Sequence, residues 1–350
     1  MTVLVKPLTV ENLKVGKHIT ALSDGDLSQS ITLKDVYEAR RNVSKYLPRT
    51  PLVRSTALSR RLGFEAYVKC ENLQPIGAFK VRGGVNLISS LSEDERLRGV
   101  ITASTGNHGQ SIAYAASLFG VKAVIVVPKD ANPYKVEAIK DLGAVIEFHG
   151  LDFDEARLWV EEEAKRKGYM YVHPANEPLL IAGVGTLYLE IMEDLSDVET
   201  IIVPIGGGSG AAAACIVAKS INPKVKVIGV QAEKAPSVYL SWRNKKMIET
   251  ESAETFAEGL ATRVPFKLTL DILNKMIDGI VLVSEEEMKK AILTLLETTH
   301  QLAEGAGAAS TAAAFKIKDE LQGRKVALIL TGGNLTLDTL KNIFNEVRGF

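Results

Sequence analysis

From about residue 99 onward, the chain alternates short runs of β-branched and other apolar residues with longer stretches whose apolar positions recur every three or four residues. That alternation predicts βα units wound around a parallel sheet. The runs "GVITAS", "VKAVIVVP", "AVIEFHG", "YMYVHP", "ETIIVPIG", "KVKVIGVQ" and "KVALILTGG" read as strands. Between them, "FDEARLWVEEEAKRKG" sets Ala156, Val160 and Ala164 four apart on one helical face, and its "EEEAKRK" portion reads as a solvated face. Ser284, followed three residues later by Glu287, predicts a capping box that opens another helix. Residues 1–30 lack strong periodicity and read as an N-terminal extension that packs on a neighbour.

At 350 residues the chain is long enough for two domains or one large one. Lysine plus arginine and aspartate plus glutamate both total 42, so there is no electrostatic footprint for nucleic acid or an anionic membrane. A small molecule is the expected partner. Two cysteines, Cys70 and Cys215, make neither a disulfide framework nor a paired metal motif, which fits a reducing cytosol. The opening "MTVLVKPLTVENLKVG" has too short an apolar run for a secretory signal, and no run of about 18 apolar residues occurs. A soluble, cytoplasmic protein is expected.

Five short motifs carry candidate chemistry. In "LQPIGAFKVRGGVN", Leu73 to Asn86, Lys80 directly follows Phe79 and has glycines on both sides; a surface charge in a loop is the plainer alternative. In "ASTGNHGQS", directly after a predicted strand, the turn Ser104, Thr105, Gly106, Asn107 is expected to offer backbone N–H groups and a helix N-terminus to an anion such as a carboxylate. In "VPIGGGSGAAAAC", glycines 206, 207, 208 and 210 let the backbone approach a phosphate, and the helix that follows adds its dipole. No Gly-Lys-Ser/Thr follows, and the Gly-x-Gly-x-x-Gly spacing fits poorly, so a ligand with a single phosphate is expected. "ILTGGNL" ends a late strand in Thr331, whose hydroxyl could meet a heteroaromatic nitrogen. In "EGAGAAS", Glu304 precedes a small-residue helix start, for which helix packing is the better reading.

Taken in order, "GAFKVRGG", "STGNHGQS", "PIGGGSG", "EGAGAA" and "TGGN" resemble the motifs of the fold type II pyridoxal phosphate enzymes, nearest to the threonine dehydratase and serine racemase family. The resemblance runs from about Leu33 to Leu337. It implies an α/β fold of the tryptophan synthase beta type, with two doubly wound parallel-sheet domains and the active site between them. The large cofactor-binding domain would comprise residues 31–95 and 178–350, and the small one residues 96–177. Lys80 would be the Schiff-base lysine, with Phe79 beside the ring of pyridoxal 5'-phosphate. Asn107 would meet the ring hydroxyl, Gly206, Gly207, Gly208, Ser209 and Gly210 the phosphate, and Thr331 the pyridine nitrogen. Ser104, Thr105, Gly106, Asn107 and His108 would bind an amino-acid substrate. A homodimer or homotetramer is expected.

The activity so implied is β-elimination from L-threonine or L-serine, giving a 2-keto acid and ammonia, with Lys80 removing the α-proton. A hydroxyl at Thr331, unlike a carboxylate, favours elimination over transamination. An amino-acid racemase or a β-replacement synthase on the same fold is the alternative, and a non-catalytic binder of a phosphorylated ligand a remote one. Two departures from the family stand out. Gln231 and Ser237 occupy positions where members with a divalent-cation site present acidic residues, leaving Glu233 nearby and no expected divalent metal. Only 16 residues follow "TGGN", so a C-terminal regulatory domain is not expected.

Overall fold

The computed structural model describes residues 31–104, 106–131, 133–151 and 153–347. The expected N-terminal extension and Thr105 lie outside the described residues. The described strands are β1 (Leu52–Arg54), β2 (Glu65–Cys70), β3 (Val100–Ala103), β4 (Ala123–Val127), β5 (Val145–Phe148), β6 (Met170–Tyr171), β7 (Thr200–Pro204), β8 (Lys226–Ala232), β9 (Gly279–Val283) and β10 (Lys325–Leu330). They form a six-stranded sheet of order β1-β2-β10-β7-β8-β9 and a four-stranded sheet of order β5-β4-β3-β6. Every pairing is parallel except β1 with β2.

Strand order fixes where a ligand can sit. The chain enters the small sheet at β3, builds outward through β4 and β5, and returns to the other side of β3 with β6. In the large sheet it runs outward from β7 through β8 to β9, then returns to place β10 on the opposite side of β7. Each reversal opens a crevice at the carboxyl ends of the strands that flank it. The residues just beyond β3, β7 and β10 are Ser104–His108, Ile205–Gly210 and Thr331–Asn334, which are the segments singled out above for their chemistry.

Strands covered on both faces need unbroken apolar sequence, and "AVIVV" of β4 and "TIIVP" of β7 are buried throughout. Ala156, Val160 and Ala164 do share one buried face, against Ile101, Ala103, Val124 and Val126. The solvated face is narrower than expected, because Glu163 is buried beneath Arg166 and Lys167, whose nitrogens lie 2.6 and 2.7 Å from its carboxylate. The capping box at Ser284 and Glu287 opens the helix Glu285–Thr299.

Candidate active site

A cavity of about 560 Å³ lies where the two crevices meet, inside the range of roughly 300–1,000 Å³ usual for small-molecule sites. Phe79, Lys80, Ser104, Gly106, Asn107, His108, Gly206 to Gly210 and Thr331 all line it. Of the residues expected at the site, only Thr105 lies outside the described residues.

Lys80 is placed by backbone pairing. The Phe79 N–H donates to the Thr331 carbonyl at 2.9 Å and the Gly333 N–H to the Gly77 carbonyl at 2.9 Å, so residues 77–79 run beside the end of β10. Lys80 then opens the helix Lys80–Ser89. Its Nζ donates to Ser209 Oγ at 2.9 Å and lies 5.4 Å from the Phe79 ring centre. Loss of hydration in the cavity lowers its pKa to about 8. Roughly a tenth of the amine is then neutral at pH 7, against far less than a hundredth for a lysine in water with a pKa near 10.4. The glycines after Lys80 serve packing rather than the ligand. A Cβ on Gly83 would lie 2.9 Å from the Leu180 carbonyl oxygen, and one on Gly84 2.3 Å from Ser111 Oγ.

Past β7, Gly208 has a φ of +92°, a left-handed conformation that favours glycine, and caps the helix Ser209–Ile221. Thr269 Oγ1 holds the loop by donating to the Gly207 carbonyl at 2.8 Å. The first N–H groups of a helix have no acceptor within it, and here they open onto the cavity. Past β3, Asn107 begins the helix Asn107–Phe119. Its Nδ2 donates to Glu304 Oε1 at 2.7 Å, and its Oδ1 accepts from Asn334 Nδ2 at 2.7 Å. Glu304 therefore does more than pack a helix, contrary to the reading from sequence. Burial pushes its pKa up to about 7, against the hydrogen bond from Asn107.

His108 is neutral, its pKa held well below the usual range by burial and by the neighbouring Lys80 charge. Thr102 Oγ1 donates to the Val172 carbonyl at 2.7 Å, so at 3.0 Å it accepts from His108 Nε2–H. Nδ1 is thereby left as a buried acceptor with no partner among the described residues. Three further cavity residues carry no mark in the sequence. Phe266 stands 4.9 Å, ring to ring and edge-on, from His173. Lys135 and Glu258 form an ion pair at the cavity wall. No short motif marks any of the three, because their partners are distant in sequence.

In the segment compared with divalent-cation sites, the side chains of Gln231, Glu233 and Ser237 have protein partners. Gln231 Oε1 accepts from the Tyr239 N–H at 2.8 Å, Ser237 Oγ donates to the Thr262 carbonyl at 2.7 Å, and Glu233 pairs with Lys316 at 3.0 Å. Among the described residues, no group of three or more His, Cys, Asp or Glu is placed to hold a metal ion.

Residues 43–332 match the family of pyridoxal-phosphate dependent enzymes. The chain belongs to that family, and pyridoxal phosphate is its cofactor. An L-threonine ammonia-lyase of Thermotoga maritima is 45% identical over 90% of this chain and 79% of its own length. A catabolic L-threonine dehydratase of Escherichia coli is 36% identical over 89% of this chain and 96% of its own length. Among solved structures, the processed form of threonine deaminase isoform 2 from Solanum lycopersicum superposes with a TM-score of 0.86 at 32% identity, covering 97% of this chain and 98% of that one. A serine racemase from Dictyostelium discoideum gives 0.82 at 36% identity, covering 88% and 100%.

Proposed function

We propose that this chain deaminates L-threonine, L-serine or both by β-elimination, releasing a 2-keto acid and ammonia. The observation that carries this reading is a desolvated amine, Lys80 Nζ, held on Ser209 at the mouth of the glycine loop. The residues present suit the cofactor: an amine for its aldehyde, glycine backbone and a helix N-terminus for its phosphate, and a hydroxyl at Thr331 for its ring nitrogen. When bound, pyridoxal phosphate supplies an aldehyde that captures the substrate amine and a ring that withdraws electrons from the α-carbon. Lys80 serves as anchor and then takes the α-proton. Phe79 forms an apolar wall that excludes water. Ser104, Thr105, Gly106, Asn107 and His108 hold the substrate carboxylate at the start of a helix, where its dipole favours negative charge. We read residues 31–95 with 178–350, and 96–177, as the two domains, in keeping with the separation of the two sheets.

The protein is also proposed to be a cytoplasmic homodimer or homotetramer without nucleic-acid or membrane partners. The balance of 42 cationic and 42 anionic residues supports the absence of a polyanionic partner. Among the described residues, no helix is long and apolar enough to cross a membrane.

Gly207 tests the phosphate assignment. A Cβ there would lie 3.0 Å from the Ala175 Cβ and 3.2 Å from the Phe266 ring. A carboxylate would also stand against the phosphate, and like charges about 4 Å apart repel by ~4 kcal/mol at an effective dielectric of about 20. Gly207→Asp is expected to weaken cofactor retention at least about tenfold, measured by titrating the apoprotein with pyridoxal phosphate. Unchanged affinity would remove the loop from the phosphate site.

The similarity to serine racemases keeps a second reading in view. Racemisation needs acid–base groups on both faces of the planar carbanion, and Lys80 serves one. Thr105 is the candidate for the other face, but its methyl group restricts χ1 and so the aim of its hydroxyl. Elimination is expected to exceed racemisation by about a hundredfold, the low end of what one placed acid–base group contributes. Keto-acid release and chiral chromatography on L-serine decide the matter: D-serine formed faster than pyruvate would make the chain a racemase.

A further inference from the structure

We propose that Glu304 is the positioning residue for Asn107, fixing its side-chain amide so that one N–H is left to meet the cofactor ring oxygen. The proposal rests on the reading of Asn107 as a cofactor contact. The Ile76 carbonyl can only accept, and Asn334 Nδ2 lies 2.9 Å from it, which settles which way the Asn334 amide faces. The second Nδ2 proton of Asn334 then meets Asn107 Oδ1 at 2.7 Å, which settles the Asn107 amide in turn. Its Nδ2 must face Glu304 Oε1, at 2.7 Å. An asparagine amide has two N–H donors. Glu304 takes one and leaves one for the cavity.

Helix packing alone does not account for a carboxyl at this place. Glu304 stands at the N-cap of the helix Gly305–Lys316, yet its side chain makes no capping hydrogen bond. The carboxyl instead turns inward, where burial disfavours its charge, and the chain makes room for it. A Cβ on Gly332 would lie 2.6 Å from Glu304 Oε1, so the first glycine of "TGGN" is the opening through which the carboxyl reaches Asn107. The bonds also bridge the two sheets. Asn107 follows β3 of the small sheet, whereas Asn334 follows β10 of the large one and Glu304 heads a helix packed against β10 and β7.

The test uses Glu304→Ala and Glu304→Gln, with two readouts. The first is the side-chain amide resonance of Asn107 in selectively labelled apoprotein, which needs no cofactor and so stands or falls independently of the proposed function. The second is the affinity of the apoprotein for pyridoxal phosphate. Glutamine keeps an acceptor oxygen at the same reach, so Glu304→Gln is expected to keep the resonance and to hold affinity within about twofold. Glu304→Ala is expected to shift the resonance, speed its exchange with solvent and weaken affinity about tenfold, the scale of one buried hydrogen bond left unmade. In an Asn107→Ala background, adding Glu304→Ala is expected to cause no further loss of affinity. The proposal is overturned by an unmoved Asn107 resonance in Glu304→Ala, by equal losses in the alanine and glutamine variants, or by additive losses in the double variant.

Discussion

Lys80→Ala is expected to lower 2-keto acid release by at least about 10⁴-fold while leaving the protein folded. A well-placed general base contributes about 10²–10⁴ on its own, and Lys80 is also the covalent anchor, so both contributions are lost together. The fold has little stake in this side chain. Its Nζ bonds to Ser209 at 2.9 Å, its only other hydrogen-bond partner among the described residues is the Pro174 carbonyl at 3.5 Å, and truncation enlarges a cavity that already exists. Both partners are neutral groups, a hydroxyl and a carbonyl, so its removal strands neither as a buried charge. The thermal midpoint of the apoprotein should therefore shift by no more than a few degrees. A folded Lys80→Ala protein that still releases keto acid at a tenth or more of the native rate would contradict the assignment.

The legible parts of this molecule were those whose physics is local. β4 and β7 announce themselves because a strand covered on both faces has no polar position to interrupt it. The glycine loop after β7 is legible because a left-handed residue at a helix start asks for glycine. β2 is not legible although it has a partner strand on each side, because "EAYVKC" carries a lysine that looks solvent-bound; Lys69 is fully buried, 2.6 Å from Glu190. β9 was missed for the opposite reason, being an edge strand that is only partly covered. Glu304 was misread because its partner Asn107 is 197 residues away, and no spacing rule reaches that far. The glycines after Lys80 were legible as a need for space, but not as space for other helices.

The same limit hid the residue whose loss should most weaken the fold. Arg82, two residues after Lys80 on the same helix, is 1% exposed and grips two carboxylates at once. It reaches Glu71 with Nε and Nη2 at 2.8 Å each, and Glu190 with Nη1 and Nη2 at 2.7 and 2.9 Å. Lys69 Nζ completes the cluster, 2.6 Å from Glu190 and 2.7 Å from the Thr50 carbonyl oxygen. Two cations face two anions, so the buried charge sums to zero. Burial alone would raise the Glu190 pKa, but the hydrogen bond and charge of Arg82, with the charge of Lys69, hold it below the ordinary carboxylate range. Removing Arg82 leaves one buried negative charge uncompensated, which typically costs about 3–5 kcal/mol. Arg82→Met is expected to lose that amount in the urea-unfolding step of the larger domain, followed in the apoprotein by a probe that resolves the two domains, since a two-domain chain need not unfold in one step. Arg82→Lys should recover little of it, since one ammonium cannot replace two bidentate forks. Replacing Arg82, Glu71, Glu190 and Lys69 together with apolar residues of similar volume should recover more than Arg82→Lys does, because no unpaired charge then remains. A loss below about 1 kcal/mol for Arg82→Met would mean that water reaches these carboxylates, and that the start of the Lys80 helix is held by packing rather than by this cluster.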